Sequence, residues 1–145
     1  MNSTVYNGEP TKGLGFYELL MESTEFTSEL GKVTLNSGRM EAELILLLDR
    51  HKVKGKFQKS TLGTLIRVAH ENKLLTDNEV LSFKLISKQR NYLTHNIYAL
   101  LNYQINETIL EREDLLDSDV HTYIERAWVL NDNLKGLTEI IKRMK

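Results

Sequence analysis

The single proline of this chain, Pro10, is the feature that most restricts its fold. The residues from 11 to 145 contain no side chain that removes a backbone N–H donor and breaks a helix. The composition, 41% hydrophobic and 27% charged, is typical of a globular domain. A chain of 145 residues buries about two-thirds of its unfolded surface. We therefore expect one mostly helical domain with one core.

Apolar residues recur along the chain at steps of three and four, the spacing of one helix face. This pattern predicts helices over 14–21, 26–51, 62–75, 76–103 and 117–145. Thr76 and Glu79 have the spacing of a capping box at the start of the fourth helix. Gly31 and Gly38 lie inside the second helix and weaken it, and Gly38 is the candidate site of a kink.

The fold class predicted from these segments is all-α, an antiparallel bundle of four to five helices, because short connections place successive helices side by side in opposite directions. Residues 1–12 are polar and turn-rich and are expected to form a flexible N-terminal tail. Residues 13–145 are expected to form a single helical-bundle domain. In the last helix, Tyr123 and Trp128 are predicted to be core residues.

Several classes of protein are set aside by what the sequence lacks. The chain has no cysteine, so it has no disulfide and no thiolate metal site. The first ten residues have neither the basic start nor the apolar run of a signal peptide, and no segment has the apolar length of a membrane span. His51, His70 and His121 have no partner at metal-ligand spacing. We expect a cytoplasmic protein that needs no membrane, metal or cofactor.

The formal net charge of −1 does not indicate a nucleic-acid-binding protein, but the charges are unevenly distributed. Residues 50–59 contain five Lys or Arg side chains, His51 and no acid, whereas residues 107–119 contain six acids and one arginine. Two interpretations remain open. Both segments are solvated connections between helices, or the first is a basic lobe in which Lys52, Lys54 and Lys56 bind RNA phosphates.

An arginine occupies the apolar face of the fourth helix. The face runs through positions 83, 86, 90, 93, 97 and 100, and only position 90 is charged. Desolvating an unpaired guanidinium costs several kcal/mol. Arg90 is therefore expected to reach solvent along its stem, to pair with an acid such as Glu41, or to meet an anion in a cleft.

Polar residues next to Arg90 supply groups suited to phosphate chemistry. Asn91, His95, Tyr98 and Asn102 share one helix face through steps of four, three and four. An imidazole transfers protons near neutral pH, and a fixed guanidinium stabilises charge that develops on a phosphate. A lone helical histidine also has a purely structural interpretation.

The segment Arg90-Asn91-Tyr92-Leu93-Thr94-His95 resembles the R-x4–6-H motif, with a polar residue after Arg, of the HEPN superfamily (higher eukaryotes and prokaryotes nucleotide-binding domains). The specific likeness covers six residues, and the architectural likeness covers about 25–145. The resemblance implies a metal-independent endoribonuclease of toxin or phage-defence type. It also implies a homodimer with a composite active site and, as a possible partner, an antitoxin or regulatory protein.

The resemblance also assigns roles to residues. Arg90 binds the scissile phosphate, His95 is the general base or acid, and Asn91 orients the site, so that RNA is left with 2′,3′-cyclic phosphate and 5′-hydroxyl ends. Toxins of this superfamily often carry His-x-Tyr, whereas Tyr98 follows His95 by three, so Tyr98 is either an RNA-binding or a packing residue. The alternative function is a non-catalytic HEPN-like helical module that binds a protein partner or RNA.

Overall fold

The computed structural model describes residues 17–95 and 117–145, and these residues contain helices and turns but no strand. The predicted tail, Tyr98 and most of the acidic segment lie outside the described residues. The helices are α1 (17–22), α2 (Thr24–Arg50), α3 (Leu62–Glu71), α4 (Asp77–His95) and α5 (Asp117–Arg143). The all-helical class predicted from the sequence is confirmed.

Local hydrogen bonds explain where α2 and α3 begin. The Ser23 hydroxyl accepts from the N–H of Phe26 at 3.0 Å, and the Thr61 hydroxyl accepts from the N–H of Thr64 at 3.2 Å. Each bond satisfies an N–H that has no partner inside its helix. Helix α2 is continuous across both Gly31 and Gly38.

The described residues fall into two compact units. The first contains residues 17–32, 91–95 and 117–129, and the second contains residues 33–90 and 130–145. Buried apolar residues of the first unit include Leu20, Phe26, Leu93 and Tyr123. The larger apolar core of the second unit includes Met40, Leu44, Leu47, Leu48, Leu62, Leu65, Ile66, Phe83, Leu130, Leu134 and Ile141.

Helices α2 and α5 run parallel in the second unit. The Asn36 Nδ2 donates to Asn131 Oδ1 at 2.9 Å, and the Arg50 guanidinium, fourteen residues further along α2, donates to the backbone oxygens of Ile141 and Met144. Residue numbers therefore rise together along both helices. The prediction of an antiparallel bundle is wrong for this pair. Short connections restrict only successive helices, and α3 and α4 separate α2 from α5 in sequence.

In the first unit, taken by itself, the start of α2 and the start of α5 also run parallel. One groove is lined by residues from 19–25 and 120–124, and the next groove is lined by residues from 24–29 and 124–128. Trp128 lines the second groove and is 59% exposed, so its predicted place in the core is wrong, whereas Tyr123 is fully buried. Trp128 follows the buried Ala127 by one residue, which turns it about 100° away from the buried face.

Candidate functional site

Helix α4 begins where the sequence predicts. The Thr76 N–H donates to Glu79 Oε1 at 2.8 Å, and the Glu79 N–H donates to the Thr76 hydroxyl at 3.1 Å. His70, in the last turn of α3, adds a bond of 2.8 Å from its Nε2 to Asp77 Oδ1. The reciprocal capping box is therefore confirmed, and it sets the start of the helix that carries Arg90.

Arg90 lies on the buried face of α4, as its position in the apolar pattern predicts. Phe83, Ile86 and Leu93 on that face are buried, and Arg90 between them is half-buried. The Nε atom of Arg90 has almost no solvent contact. Because the Nε atom is buried while the residue is only half-buried, the guanidinium has a fixed direction. An arginine that binds an anion requires such a fixed direction.

The other residues of the R-x4–6-H motif are described unequally. Asn91 follows Arg90 and is exposed. His95 is the last described residue of α4, but its side chain lies outside the described residues, as does Tyr98. Glu41 is half-buried on α2 and makes no ion pair or hydrogen bond among the described residues. The pairing of Arg90 with Glu41 considered from the sequence is therefore absent.

The segment after α2 packs against the end of α5. The Arg50 Nη2 donates to the backbone oxygens of Ile141 at 3.3 Å and of Met144 at 3.2 Å, and the His51 Nε2 donates to the backbone oxygen of Lys145 at 2.6 Å. These oxygens lie at the end of α5 and just beyond it, so the two side chains cap that helix terminus. The contacts join the predicted basic lobe to a second basic segment that the sequence analysis did not connect with it.

We call this surface the basic end. It consists of exposed Lys and Arg side chains from the loop after α2 and from the last residues of α5: Lys52, Lys54, Lys56, Lys59, Lys142, Arg143 and Lys145. None of the seven side chains makes a hydrogen bond or an ion pair with a described residue. The RNA-binding candidates Lys52, Lys54 and Lys56 are thus exposed, as expected, and belong to a larger cationic surface.

The turn that starts the loop has an unusual residue. Lys52 has a φ of 56°, its N–H donates to the Asp49 oxygen at 2.9 Å, and the Val53 N–H donates to the Leu48 oxygen at 3.0 Å. This is the Schellman arrangement of helix ends, in which the left-handed position usually holds glycine. Further along, the ring of Phe57 packs on Gly55, where an added Cβ would lie 2.5 Å from the ring. The loop therefore has a definite conformation.

No protein-family model, curated protein or solved structure matches this chain. The interpretation of the site therefore depends on its own residues. Within the described ranges, no three His, Asp or Glu side chains are grouped so that they could hold a metal ion. No described helix is long and apolar enough to cross a membrane.

Helix α4 carries an exposed apolar surface in the part that belongs to the second unit. Leu81 is 66% exposed and Leu85 is 55% exposed, four residues apart on one helix face. Leu85 and Ile140 line a groove of about 470 Å³ between α4 and α5. The sequence analysis missed this surface, although the two leucines at i and i+4 outside the buried face were a readable signal.

Proposed function

We propose that this protein is a metal-independent endoribonuclease of HEPN type, which acts in the cytoplasm as a homodimer in a toxin or phage-defence setting. The observation that carries the proposal is the environment of Arg90. Its guanidinium emerges from the buried face of α4, between Ile86 and Leu93, and the helix continues to His95. A guanidinium whose Nε is buried keeps a fixed direction, which suits it to bind a scissile phosphate.

In the proposed reaction the RNA supplies its own nucleophile. His95 of one subunit takes the proton from a ribose 2′-hydroxyl, and the oxygen attacks the adjacent phosphorus. The bond from phosphorus to the 5′-oxygen breaks, and that oxygen receives a proton from the second subunit's imidazole. Arg90 stabilises the charge on the phosphate oxygens, and Asn91 orients the phosphate. The products are a 2′,3′-cyclic phosphate and a 5′-hydroxyl, and the chemistry requires no metal or cofactor.

The exposed face of α4 supports the homodimer. Leu81 and Leu85 are exposed on this face, four residues apart. A second copy that covered the two leucines would bury apolar area, which favours a twofold interface on this face. Arg90 lies on the opposite, buried side of α4, so the composite site of the proposed homodimer depends on the motif and not on this contact. An antitoxin or regulatory protein that covered the same face would block assembly.

The first experiment is cleavage of labelled RNA in the presence of EDTA. We expect the wild-type protein to cut, and we expect Arg90→Ala and His95→Ala to lower the rate by at least about a hundredfold, the usual size of a lost proton-transfer or charge-stabilising group. The new ends are then tested for cyclic phosphate. His121→Ala is the matched control because His121 is an exposed helical histidine that pairs only with Glu125 in the described part of the chain.

Arg90→Lys separates chemistry from folding. It keeps the charge and most of the buried stem, so circular dichroism and the melting temperature should stay close to wild type, while cleavage falls because an ammonium cannot make the two parallel bonds of a guanidinium. A folded, dimeric wild-type protein that leaves RNA intact would contradict the proposed function.

A second candidate is a non-catalytic helical module that binds a protein partner or RNA. The groove lined by Leu85 and Ile140, with Leu81 beside it, favours this candidate because exposed apolar clusters often mark interaction sites. The two functions differ in one readout. Only the ribonuclease predicts that His95→Ala abolishes an activity of the purified protein alone.

A further inference from the structure

The basic end carries more positive charge than helix capping requires. Arg50 and His51 already donate to backbone oxygens at the end of α5 and just after it, and these bonds cap the helix terminus. The seven cations of the basic end remain exposed and without partners among the described residues. Residues 50–60 and 141–145 contain no acid that would neutralise them. Within these two segments the positive charges repel one another without an intervening acid.

Lys52 occupies a left-handed backbone position at which glycine would make the fold more stable. A left-handed backbone costs a non-glycine residue roughly 1–2 kcal/mol, and the Schellman turn needs that conformation at Lys52. The side chain of Lys52 makes no hydrogen bond or ion pair with the described residues that would offset this cost.

We propose that the basic end is a binding surface for the phosphate backbone of single-stranded RNA, in which Lys142, Arg143 and Lys145 act together with the lysines of the loop. The choice of RNA rests on the proposed function. Two cationic segments joined by backbone capping bonds fit a chain of phosphates rather than one phosphate group. Such a surface contributes affinity without reading the base sequence.

The surface does not fit an anionic membrane. Proteins that lie on membranes combine cations with exposed apolar side chains that enter the acyl region. The apolar side chains of residues 50–60 and 141–145 are half-buried or buried, and Phe57 packs on Gly55. The basic end therefore offers charge without an apolar anchor.

The test measures binding of a short labelled 2′-O-methyl RNA across a series of KCl concentrations by fluorescence anisotropy. This RNA lacks the 2′-hydroxyl nucleophile, so the intact wild-type chain can be used without cleavage. Each phosphate contact on a single strand contributes about 0.7 to the slope of log K against log salt. We expect Lys142→Ala/Arg143→Ala/Lys145→Ala to lower the slope by about 2, because three contacts are lost.

The control removes the same charge elsewhere. Lys32→Ala/Lys73→Ala/Lys84→Ala also neutralises three exposed lysines, which are placed on α2, after α3 and on α4. Lys32 is separated from the end of α2 by roughly 27 Å of helix. This control should keep the wild-type slope. Equal slopes for the two triple variants would overturn the proposal, because they would reduce the effect to net charge.

A matched pair of single substitutions tests the loop lysine. Lys73, after α3, is also left-handed, with a φ of 61°, and closes the same kind of turn. Lys52→Gly and Lys73→Gly therefore relieve the same backbone strain, but only Lys52→Gly should weaken RNA binding, by roughly two- to fivefold at low salt. Identical binding by the two variants would remove Lys52 from the surface.

Failure of the inference and failure of the proposed function are distinguishable. RNA bound with the expected slopes but never cut would contradict the ribonuclease and support the basic end as a binding surface. If wild type and the basic-end variant cut RNA at equal rates and show equal slopes of log K against log salt, the ribonuclease would be supported. The basic end would then be contradicted as a binding surface. Binding to phosphatidylserine vesicles that depends on Lys142, Arg143 and Lys145, without a matching effect on RNA, would overturn the assignment to RNA.

Discussion

Two lysines in left-handed turns are the clearest sites of local strain. Lys52 and Lys73 close the C-terminal turns of α2 and α3, and in each turn the following N–H reaches back to the helix, from Val53 to Leu48 and from Leu74 to Ala69. The second turn also explains why α3 ends at Glu71 and not near residue 75 as predicted. A left-handed residue cannot continue a right-handed helix.

Glycine at either position should stabilise the fold. We expect Lys52→Gly and Lys73→Gly each to raise the free energy of unfolding by about 0.5–1 kcal/mol, since the relief of left-handed strain exceeds the entropy that glycine adds to the unfolded chain. Urea titration measures the change. Lys59→Gly is the control without a positive φ and should not stabilise. A fall in the urea midpoint for both left-handed sites would contradict this account.

The pairing of α2 with α5 depends on a buried polar contact. Asn36 is 7% exposed and Asn131 is 3% exposed, and one amide donates to the other at 2.9 Å. A buried asparagine pair is a known means of setting the register and direction of neighbouring helices, because a shifted register leaves both amides without partners. The bond between Asn36 and Asn131 therefore favours the observed register and the parallel direction of these helices.

A double-mutant cycle tests this pair. We expect Asn36→Leu alone to lower the free energy of unfolding by about 1–3 kcal/mol, because it removes the hydrogen bond that the buried Asn131 Oδ1 accepts. Asn36→Leu/Asn131→Leu should recover part of that loss through apolar packing. Urea unfolding gives the coupling energy, and the exposed Asn133→Leu is the control, expected within about 0.5 kcal/mol of wild type. Additive single effects would exclude coupling.

For the whole molecule, the decisive prediction concerns self-association. Burying each of Leu81 and Leu85 against a second copy contributes roughly 1.5–3 kcal/mol. Leu81→Glu/Leu85→Glu should therefore weaken the proposed homodimer by on the order of a hundredfold or more, as measured by sedimentation equilibrium. Leu35→Glu is the matched control because Leu35 is similarly exposed, at 71%, on α2. If the paired variant and the control dimerise equally well, the proposed face is wrong.

Local features were the ones that could be read from the sequence. The capping box of Thr76 and Glu79, the buried face of α3 and the position of Arg90 on the buried face of α4 were all predicted and are all present. Each depends on residues within about two helical turns, where periodicity and capping chemistry act. The roles of Arg90, Asn91 and His95 stay predictions, because they depend on a second copy and on RNA.

The sequence by itself therefore determined the helices, most of their buried faces and the charge on the fourth one. Tertiary structure decided the parallel direction of α2 and α5, the exposure of Trp128 and the joining of residues 50–60 to residues 141–145. The physical reason is distance along the chain. Asn36 and Asn131 are separated by 95 positions, and the periodicity of either helix specifies only which face is apolar. Which faces meet, and in which direction, depends on the packing of the folded chain.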